Sequence, residues 1–600
     1  MDFSSFLCQS TYMTNFMEQK FTFLAIALAM ISVFSACKNT NSKSAAQTQA
    51  DTSGVSDRKW WKEAVVYQLY PRSFKDSDGD GVGDLKGIIS KLDYLKSLGI
   101  DAVWLNPIYS SPNDDNGYDI SDYRNIMKEF GTMDDFNALL KGMHERNIKL
   151  VMDLVVNHCS DEHEWFQQSR SSRSSPYRDY FHWWNAEKGK PNYRYSLFDI
   201  NHDAWKYDSL TNAYYLHYFS QKQPDLNWEN PKLRKEIHDI MKFWMDKGID
   251  GFRMDAFTFC AKDTTFPVLP KEFSGTNFVP FYSMQPHLHD YLQEINKEVL
   301  SKYDVMSVAE GAGNTPQDAH DLVDADRHEL NMSYPFEWID LPKSSGYSVV
   351  ALKECLSRWD STFAQKGWMS VFLANHDQAR MVSRFANDTP EFRELSAKML
   401  NTFILSMRGT PYTYYGDELG MLNIRLDKIE DYNDMPSLNQ YQHLKQTNGN
   451  LAQYMEELKF SCRDNGRTPF QWDASPNAGF STGKPWLKVH PNYVALNAAA
   501  QENDPNSVLN YFRKMIQLRK SDLTFVYGKY TLLDAQNPDT YSYTRELNGK
   551  KRLVVLNFKG QTAKINLGLD LSKAKILTHN YSTPSTDGTL KPYEAVIFEL

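Results

Sequence analysis

From Trp60 onward the apolar positions fall into a repeating order. A segment with helical spacing ends near Gly or Asn, and a short continuous apolar run follows it. "LKGIISKLDYLKSLGIDAVWLNP" (Leu85 to Pro107) is one copy, "MDDFNALLKGMHERNIKLVMDLVVNH" (Met133 to His158) another, and "NPKLRKEIHDIMKFWMDKGIDGFRMDAF" (Asn230 to Phe257) a third. Unbroken apolar runs are what strands show when helices cover both faces of a parallel sheet. Eight such runs are predicted as strands: Ala64–Tyr70, Ala102–Leu105, Leu150–Val156, Gly251–Met254, Val305–Ala309, Leu330–Met332, Ser370–Ala374 and Tyr412–Tyr415. Strands alternating with helices at this count point to a (β/α)8 barrel, with a doubly wound open sheet as the alternative.

Two regions break the rhythm. Between His158 and about Pro231 the chain is long, aromatic and polar, and reads as an inserted subdomain after the third strand. After about Asp522 it turns to short strand-like runs with tight turns, ending "YEAVIFEL", which predicts a C-terminal antiparallel β-sandwich domain.

The first residues carry a different signal. Lys20 precedes "FTFLAIALAMISVFSA" (Phe21 to Ala36), an apolar run short for a membrane span and suited to a signal-peptide core, with Met17 the better start. The run ends "FSAC", so small residues precede Cys37 as at a bacterial lipoprotein cleavage site, with Phe34 where leucine is more usual. The polar stretch after Cys37 reads as a tether. The expected layout is a signal peptide over 1–36, a tether over 37–59, the barrel over 60–158 and 231–522, the insert over 159–230 and the β domain over 523–600. The product would be an exported lipoprotein, held at a membrane through an acylated Cys37 and otherwise monomeric.

Composition narrows the field. A chain of 600 residues, 41% hydrophobic, has ample core for two or three domains. A formal charge of −9 gives no basic footprint for nucleic acid. Cys159, Cys260, Cys355 and Cys462 are widely spaced without CxxC, and read as free, buried apolar groups rather than disulfides.

"FKDSDGDGVGDLKG" (Phe74 to Gly87) holds Asp76, Asp78, Asp80 and Asp84, with Gly81 at a sharp turn and a carbonyl available at Val82. Carboxylates this close repel unless a hard cation takes them as oxygen ligands. Position twelve is Gly87 rather than glutamate, so a calcium-sensor loop is excluded and a structural Ca²⁺ or Mg²⁺ site is expected, with no organic cofactor.

Chemistry in a barrel collects where strands end. The third run ends in Asn157 and His158, the fourth in Arg253 and Asp255, the fifth in Glu310, the seventh in His376 and Asp377. HExxH and GxSxG are absent, which argues against catalytic zinc and a serine nucleophile. Two carboxylates in different surroundings suit glycoside cleavage. Arg253, two residues before Asp255, shares its face of the strand and should keep it ionised. Glu310 follows apolar "MSVA", which should raise its pKa as a proton donor requires.

These residues resemble the α-amylase superfamily of glycoside hydrolases, and within it bacterial α-glucosidases and oligo-1,6-glucosidases. The resemblance runs from about Trp60 to Leu600 and rests on "YPRSFKDSDGDGVGDLKGI", "DDNGYDISDY", "DLVVNH", "QPDLNW", "GFRMDAF", "NHDQAR", "RGTPYTYYGDELGM" and "RTPFQWD". It implies a retaining mechanism with Asp255 as nucleophile, Glu310 as acid and base, and Asp377 as transition-state stabiliser. It implies that His158, His376 and Arg253 bind the glucose unit and Tyr118 stacks beneath it. Asp115 and Arg463 would close the non-reducing end, making the enzyme exo-acting on small α-glucosides. It places a structural Ca²⁺ in the Asp76–Asp84 loop. In this branch valine after the nucleophile accompanies α-1,6 cleavage and alanine or threonine α-1,4, so Ala256 points to α-1,4 links. "YYGDELGM" departs from the more usual "YQGEEIGM". Rival readings are a sucrose isomerase or trehalose-forming glucosyl transferase, since "IRLDKIEDY" near Arg425 is similar to an isomerase loop lacking its second arginine. The remaining rival is a non-catalytic sugar-binding or transporter-associated protein.

Overall fold

The computed structural model describes Val55 and residues 57–273 and 277–600. The leader, Cys37 and most of the tether lie outside the described residues.

The eight parallel strands form. They are β1 Val66–Leu69, β2 Ala102–Leu105, β3 Lys149–Val155, β4 Gly251–Asp255, β5 Met306–Glu310, β6 Met332–Tyr334, β7 Ser370–Val371 and β8 Thr410–Tyr414. Their sheet order is β6-β5-β4-β3-β2-β1-β8-β7. A parallel bridge between Ser333 and Met369, with Ser333 N–H donating to Trp368 O at 3.1 Å, joins the two ends and closes the barrel.

Local sequence explains the elements. Asn230 caps the helix Pro231–Lys247, proline occupies its first turn, and Gly248 ends it at φ 103°. Thr132 and Asp135 form a capping box at the start of Met133–Glu145. Both helices turn an apolar face inward, Leu233, Ile237, Met241 and Trp244 on one, Phe136, Leu139, Leu140 and Met143 on the other. Gly251 opens β4 because a Cβ there would sit 2.1 Å from Met306 O on β5.

Strand boundaries differ from expectation in ways that matter. β4 and β5 run one residue further, so Asp255 and Glu310 are the last residues of their strands rather than loop residues. β6 begins at Met332, not Leu330, because Leu330 N–H goes to Leu322 O and the Asn331 amide takes Ser307 N–H. In β7 only Ser370 and Val371 are laddered, although Phe372, Leu373 and Ala374 continue buried.

The stretch after β3 holds a three-stranded antiparallel sheet, Trp183–Asn185, Ala213–Leu216 and Trp205–Asp208. After β8 a pair of helices that periodicity did not reveal, Met435–Gln446 and Leu451–Ser461, builds its own small core from Leu426, Tyr432, Tyr454, Leu458 and Leu487. Asn439 Nδ2 donates to Phe198 O at 2.8 Å, tying this pair to the insert.

The C-terminal strands form a five-stranded antiparallel sheet over a two-stranded one. Leu553, Val555, Leu571, Leu590, Val596 and Phe598 make its separate core. Cys159, Cys260, Cys355 and Cys462 are buried, and no disulfide joins them to one another. No helix among the described residues is long and apolar enough to cross a membrane.

Candidate active site

Where β3, β4 and β5 end, one guanidinium organises three carboxylates. Arg253 Nη1 donates to Asp153 Oδ1 at 2.8 Å and to Asp255 Oδ1 at 2.5 Å, while Nη2 donates to Glu310 Oε1. The alternation of β4 puts Arg253 and Asp255 on one face, as its sequence implied. Ala256 then turns the chain at φ 44°, which aims its N–H at Glu310 Oε2, 2.6 Å away. The two candidate reacting groups therefore face one hollow.

A cavity of about 240 Å³ opens there, lined by Asp115, Tyr118, His158, Asp255, Glu310, His376, Asp377 and Arg463 among others. Tyr118 stacks on His376 with centroids 5.1 Å apart and planes 11° from parallel. Its hydroxyl donates to Asp153 Oδ2 at 3.1 Å. His376 has Gln68 Nε2 2.8 Å from Nδ1 and Asp377 Oδ2 3.2 Å from Nε2. His158 lines the wall with its nitrogens already engaged: Nε2 lies 3.1 Å from Tyr118 O and Nδ1 3.2 Å from Asn157 Nδ2.

Charge ties together one side of the cavity wall. Arg463 donates from Nη1 to Asp377 at 3.0 Å, from Nη2 to Asp115 at 3.2 Å and from Nε to Asp434 at 2.5 Å. Arg467 adds a second 3.0 Å bond to Asp377.

These contacts set the charge states. Burial raises the Asp255 carboxyl well above its ordinary value and the Glu310 charge raises it further, with Arg253 opposing both. Burial also raises Glu310, against Arg253 and the Ala256 N–H. The expectation that Arg253 keeps Asp255 ionised is thus corrected: one positive charge is shared among three buried carboxylates and cannot neutralise them all. The pair retains a proton to higher pH than an isolated carboxylate, which suits a couple with one acid and one base. Asp377 goes the other way. Burial would raise it, but the surrounding cations, Arg463 and Arg467 among them, outweigh that and hold it well below the usual range. Burial pushes His158 down to about 3 and His376 well below its ordinary value, so both are neutral.

Eight of the nine expected pocket residues line the cavity, whereas Arg253 lies buried behind it and meets it only through Asp255 and Glu310. Sequence reading missed Gln68, Asp153, Asp434 and Arg467, and also Asn106, whose Nδ2 donates to the Tyr118 hydroxyl at 2.8 Å, and Gln223, whose Nε2 donates to Asp115 Oδ2 at 3.3 Å. Asp153 could have been found, since a carboxylate inside the apolar run "LVMDLVV" needs a partner. Arg467 opens the quoted motif "RTPFQWD". Asp434 carried no local signal.

In the acidic loop the carboxylate oxygens of Asp76, Asp78 and Asp84 lie within 4.8 Å of one another. Asp80 stands outside that trio, and its Oδ1 accepts Val82 N–H at 2.8 Å. The three-oxygen cluster fits a hard cation. Asp84 also caps the helix Leu85–Ile89, so the loop and the barrel share a side chain.

The catalytic domain of α-amylase matches residues 68–528. The chain belongs to the α-amylase family. Within it, the chain is 50% identical to an oligo-1,6-glucosidase of Parageobacillus thermoglucosidasius over 564 residues, covering 91% of this chain and 99% of that one. It is 46% identical to an α-glucosidase of Pediococcus pentosaceus, covering 90% and 99%. Among solved structures, an isomaltulose synthase from Erwinia rhapontici NX5 in complex with sucrose superposes with a TM-score of 0.87 at 45% identity, covering 90% and 99%. For this α-amylase family member, the closed eight-stranded barrel agrees with the sequence resemblance.

Proposed function

We propose that this protein is a retaining, exo-acting α-glucosidase that releases glucose from the non-reducing end of short α-glucosides. The observation that carries this is the Arg253 fork, which sets Asp255 and Glu310 on one hollow whose wall includes Arg463. Asp255 attacks the anomeric carbon and forms a glucosyl ester as the glycosidic bond breaks. Glu310 gives its proton to the departing oxygen, then takes one from the water that hydrolyses the ester. Asp377, kept ionised, opposes the positive charge that develops on the sugar ring and accepts bonds from its hydroxyls. Tyr118, His376 and His158 wall the glucose site, and Asp115 with Arg463 limits it to one terminal unit.

The test is the first glucose anomer released from p-nitrophenyl α-glucoside, whose leaving group is not itself glucose, read by proton NMR. Retention predicts α-glucose. β-Glucose as first product would replace the ester mechanism with direct displacement by water. Glu310→Gln should lower turnover by about 10²–10⁴-fold, the share acid–base catalysis supplies.

The isomerase reading has one specific observation to meet. Arg425, the arginine of the isomerase-like loop, sits at φ 54° and pairs with Asp388 rather than lining the cavity. Hydrolysis is therefore the main reading, and product analysis on sucrose separates the two. For linkage, Ala256 supports α-1,4 over α-1,6. Its left-handed backbone is one that a β-branched valine resists more than alanine does. The relatives named for 1,6-cleavage make isomaltose the decisive rival substrate, and a higher kcat/KM on isomaltose than on maltose would refute the preference.

Asp76, Asp78 and Asp84 would hold Ca²⁺, with Mg²⁺ the rival ion, and stiffen the loop after β1. Export, acylation at Cys37, attachment to a membrane and a monomeric state complete the proposal. Loss of labelled palmitate from a Cys37→Ser variant checks the anchor, and unchanged labelling overturns it.

A further inference from the structure

The cavity runs from the Arg463 contacts past Glu310 to a stretch of wall with few side chains, here called its open end. Beyond Glu310 its wall is the Gly311–Asn314 turn, with Ser283, Phe278 and Phe336 alongside. Two glycines shape that turn for different reasons. Gly313, at φ 71°, has no room for more, since a Cβ would lie 2.2 Å from Asp318 Cβ. At Gly311, φ is 86° and a Cβ would meet nothing within 4 Å. The backbone at Gly311 is nonetheless fixed, because its N–H donates to Tyr334 O at 3.1 Å and its carbonyl accepts Tyr334 N–H at 3.2 Å. A side chain there would project into open space directly beside the proton donor. Asn314 also lines this space; its amide oxygen accepts from Ser283 Oγ at 3.1 Å and its Nδ2 donates to Pro280 O at 3.4 Å, which leaves one amide hydrogen for a ligand.

We propose that Gly311 is a specificity-determining residue: its missing side chain leaves the room in which the departing sugar ring sits, and Asn314 supplies the polar contact at that ring's edge. The inference rests on the α-glucosidase reading and adds what selects the leaving group. It makes a second pyranose ring, rather than a small leaving group alone, the natural occupant of the open end.

The experiment compares maltose with α-glucosyl fluoride, whose leaving group has no ring, in Gly311→Asn and Asn314→Ala. Asparagine is chosen because it tolerates the left-handed backbone better than other side chains. Asn314→Ala sits at a position without that strain and keeps the test open if the first variant folds poorly. For each variant, kcat/KM on maltose should fall about 10-fold or more, chiefly through KM, while the fluoride stays within about twofold, because a steric or polar loss confined to one pocket has that size. An equal fall on both substrates would mean that the turn only supports Glu310, and would overturn the proposal. Unchanged maltose turnover would overturn it too, since no ring would then be crossing Gly311. Wild-type turnover of both substrates is the separate check on the α-glucosidase reading, so the two failures look different.

Discussion

Replacing Arg253 by methionine should move the acidic limb of the kcat/KM profile. The substitution keeps much of the side-chain volume and removes the charge that serves Asp153, Asp255 and Glu310. Arg253 is 1% exposed, so bulk water screens it little. Unit charges about 4 Å apart at an effective dielectric near 20 interact by about 4 kcal/mol. At about 1.4 kcal/mol per pKa unit, that corresponds to about three units. Water entering the vacated space offsets part of it, leaving about one to two units for the coupled pair. The sign is fixed by the chemistry. Attack needs Asp255 ionised, its carboxyl already stands high, and loss of a neighbouring cation raises it further. The limb therefore moves to higher pH. The assay is kcat/KM on maltose or α-glucosyl fluoride across about pH 4 to 9, with thermal melts to confirm folding. Arg253→Lys is the control: it keeps the charge and loses the fork, so kcat falls while the limb stays near its wild-type position. A limb that does not move in a folded Arg253→Met variant would refute the view that this guanidinium sets the carboxylates' charge.

The remaining predictions concern the Arg463 contacts, the core and the ion loop. Arg463→Ala leaves Asp115, Asp377 and Asp434 without their shared donor, and KM for maltose should rise about 10-fold or more, since a charge-assisted bond contributes about 1.5–3 kcal/mol; an unchanged KM refutes its role in the glucose site. Burial raises the Asp417 carboxyl to about 7 from an ordinary 3.8. Between those values the folded state binds the proton more tightly than the unfolded chain, so wild-type stability falls as pH rises through that window. Asp417→Asn should therefore gain melting temperature relative to wild type from about pH 5 to about pH 8, and a constant difference would refute the assignment. Chelation with EDTA should lower the melting temperature and added Ca²⁺ restore it, as Asp76, Asp78 and Asp84 are freed to repel; no change would remove the ion from the fold.

Much of this architecture was legible because each barrel strand is a continuous apolar run, and such a run signals burial on both faces without help from elsewhere. Arg253, Asp255, Glu310, His376 and Asp377 stood out because polar groups ending those runs need a shared destination. What stayed hidden depends on distance. Asp434 meets Arg463 only once the helices at 435–446 and 451–461 have folded back, and a lone aspartate before a proline-containing helix looks like any cap. The charge state of Asp255 was misjudged for a related reason. Sequence showed the neighbouring arginine but not that Asp153, a hundred positions earlier, competes for it. The β6 boundary slipped because Leu330 N–H turns back to Leu322 O instead of reaching β5, a contact that no local pattern announces.

The Arg463 contacts have a consequence for how the molecule is made. Arg463 reaches across 348 positions to Asp115, and Ser73 Oγ bonds Arg467 O across 394. Contacts of that span form late, since the intervening loop must first be ordered. A truncation just short of Arg463 would keep Asp255, Glu310 and Asp377 yet lose the one guanidinium that joins Asp115, Asp377 and Asp434.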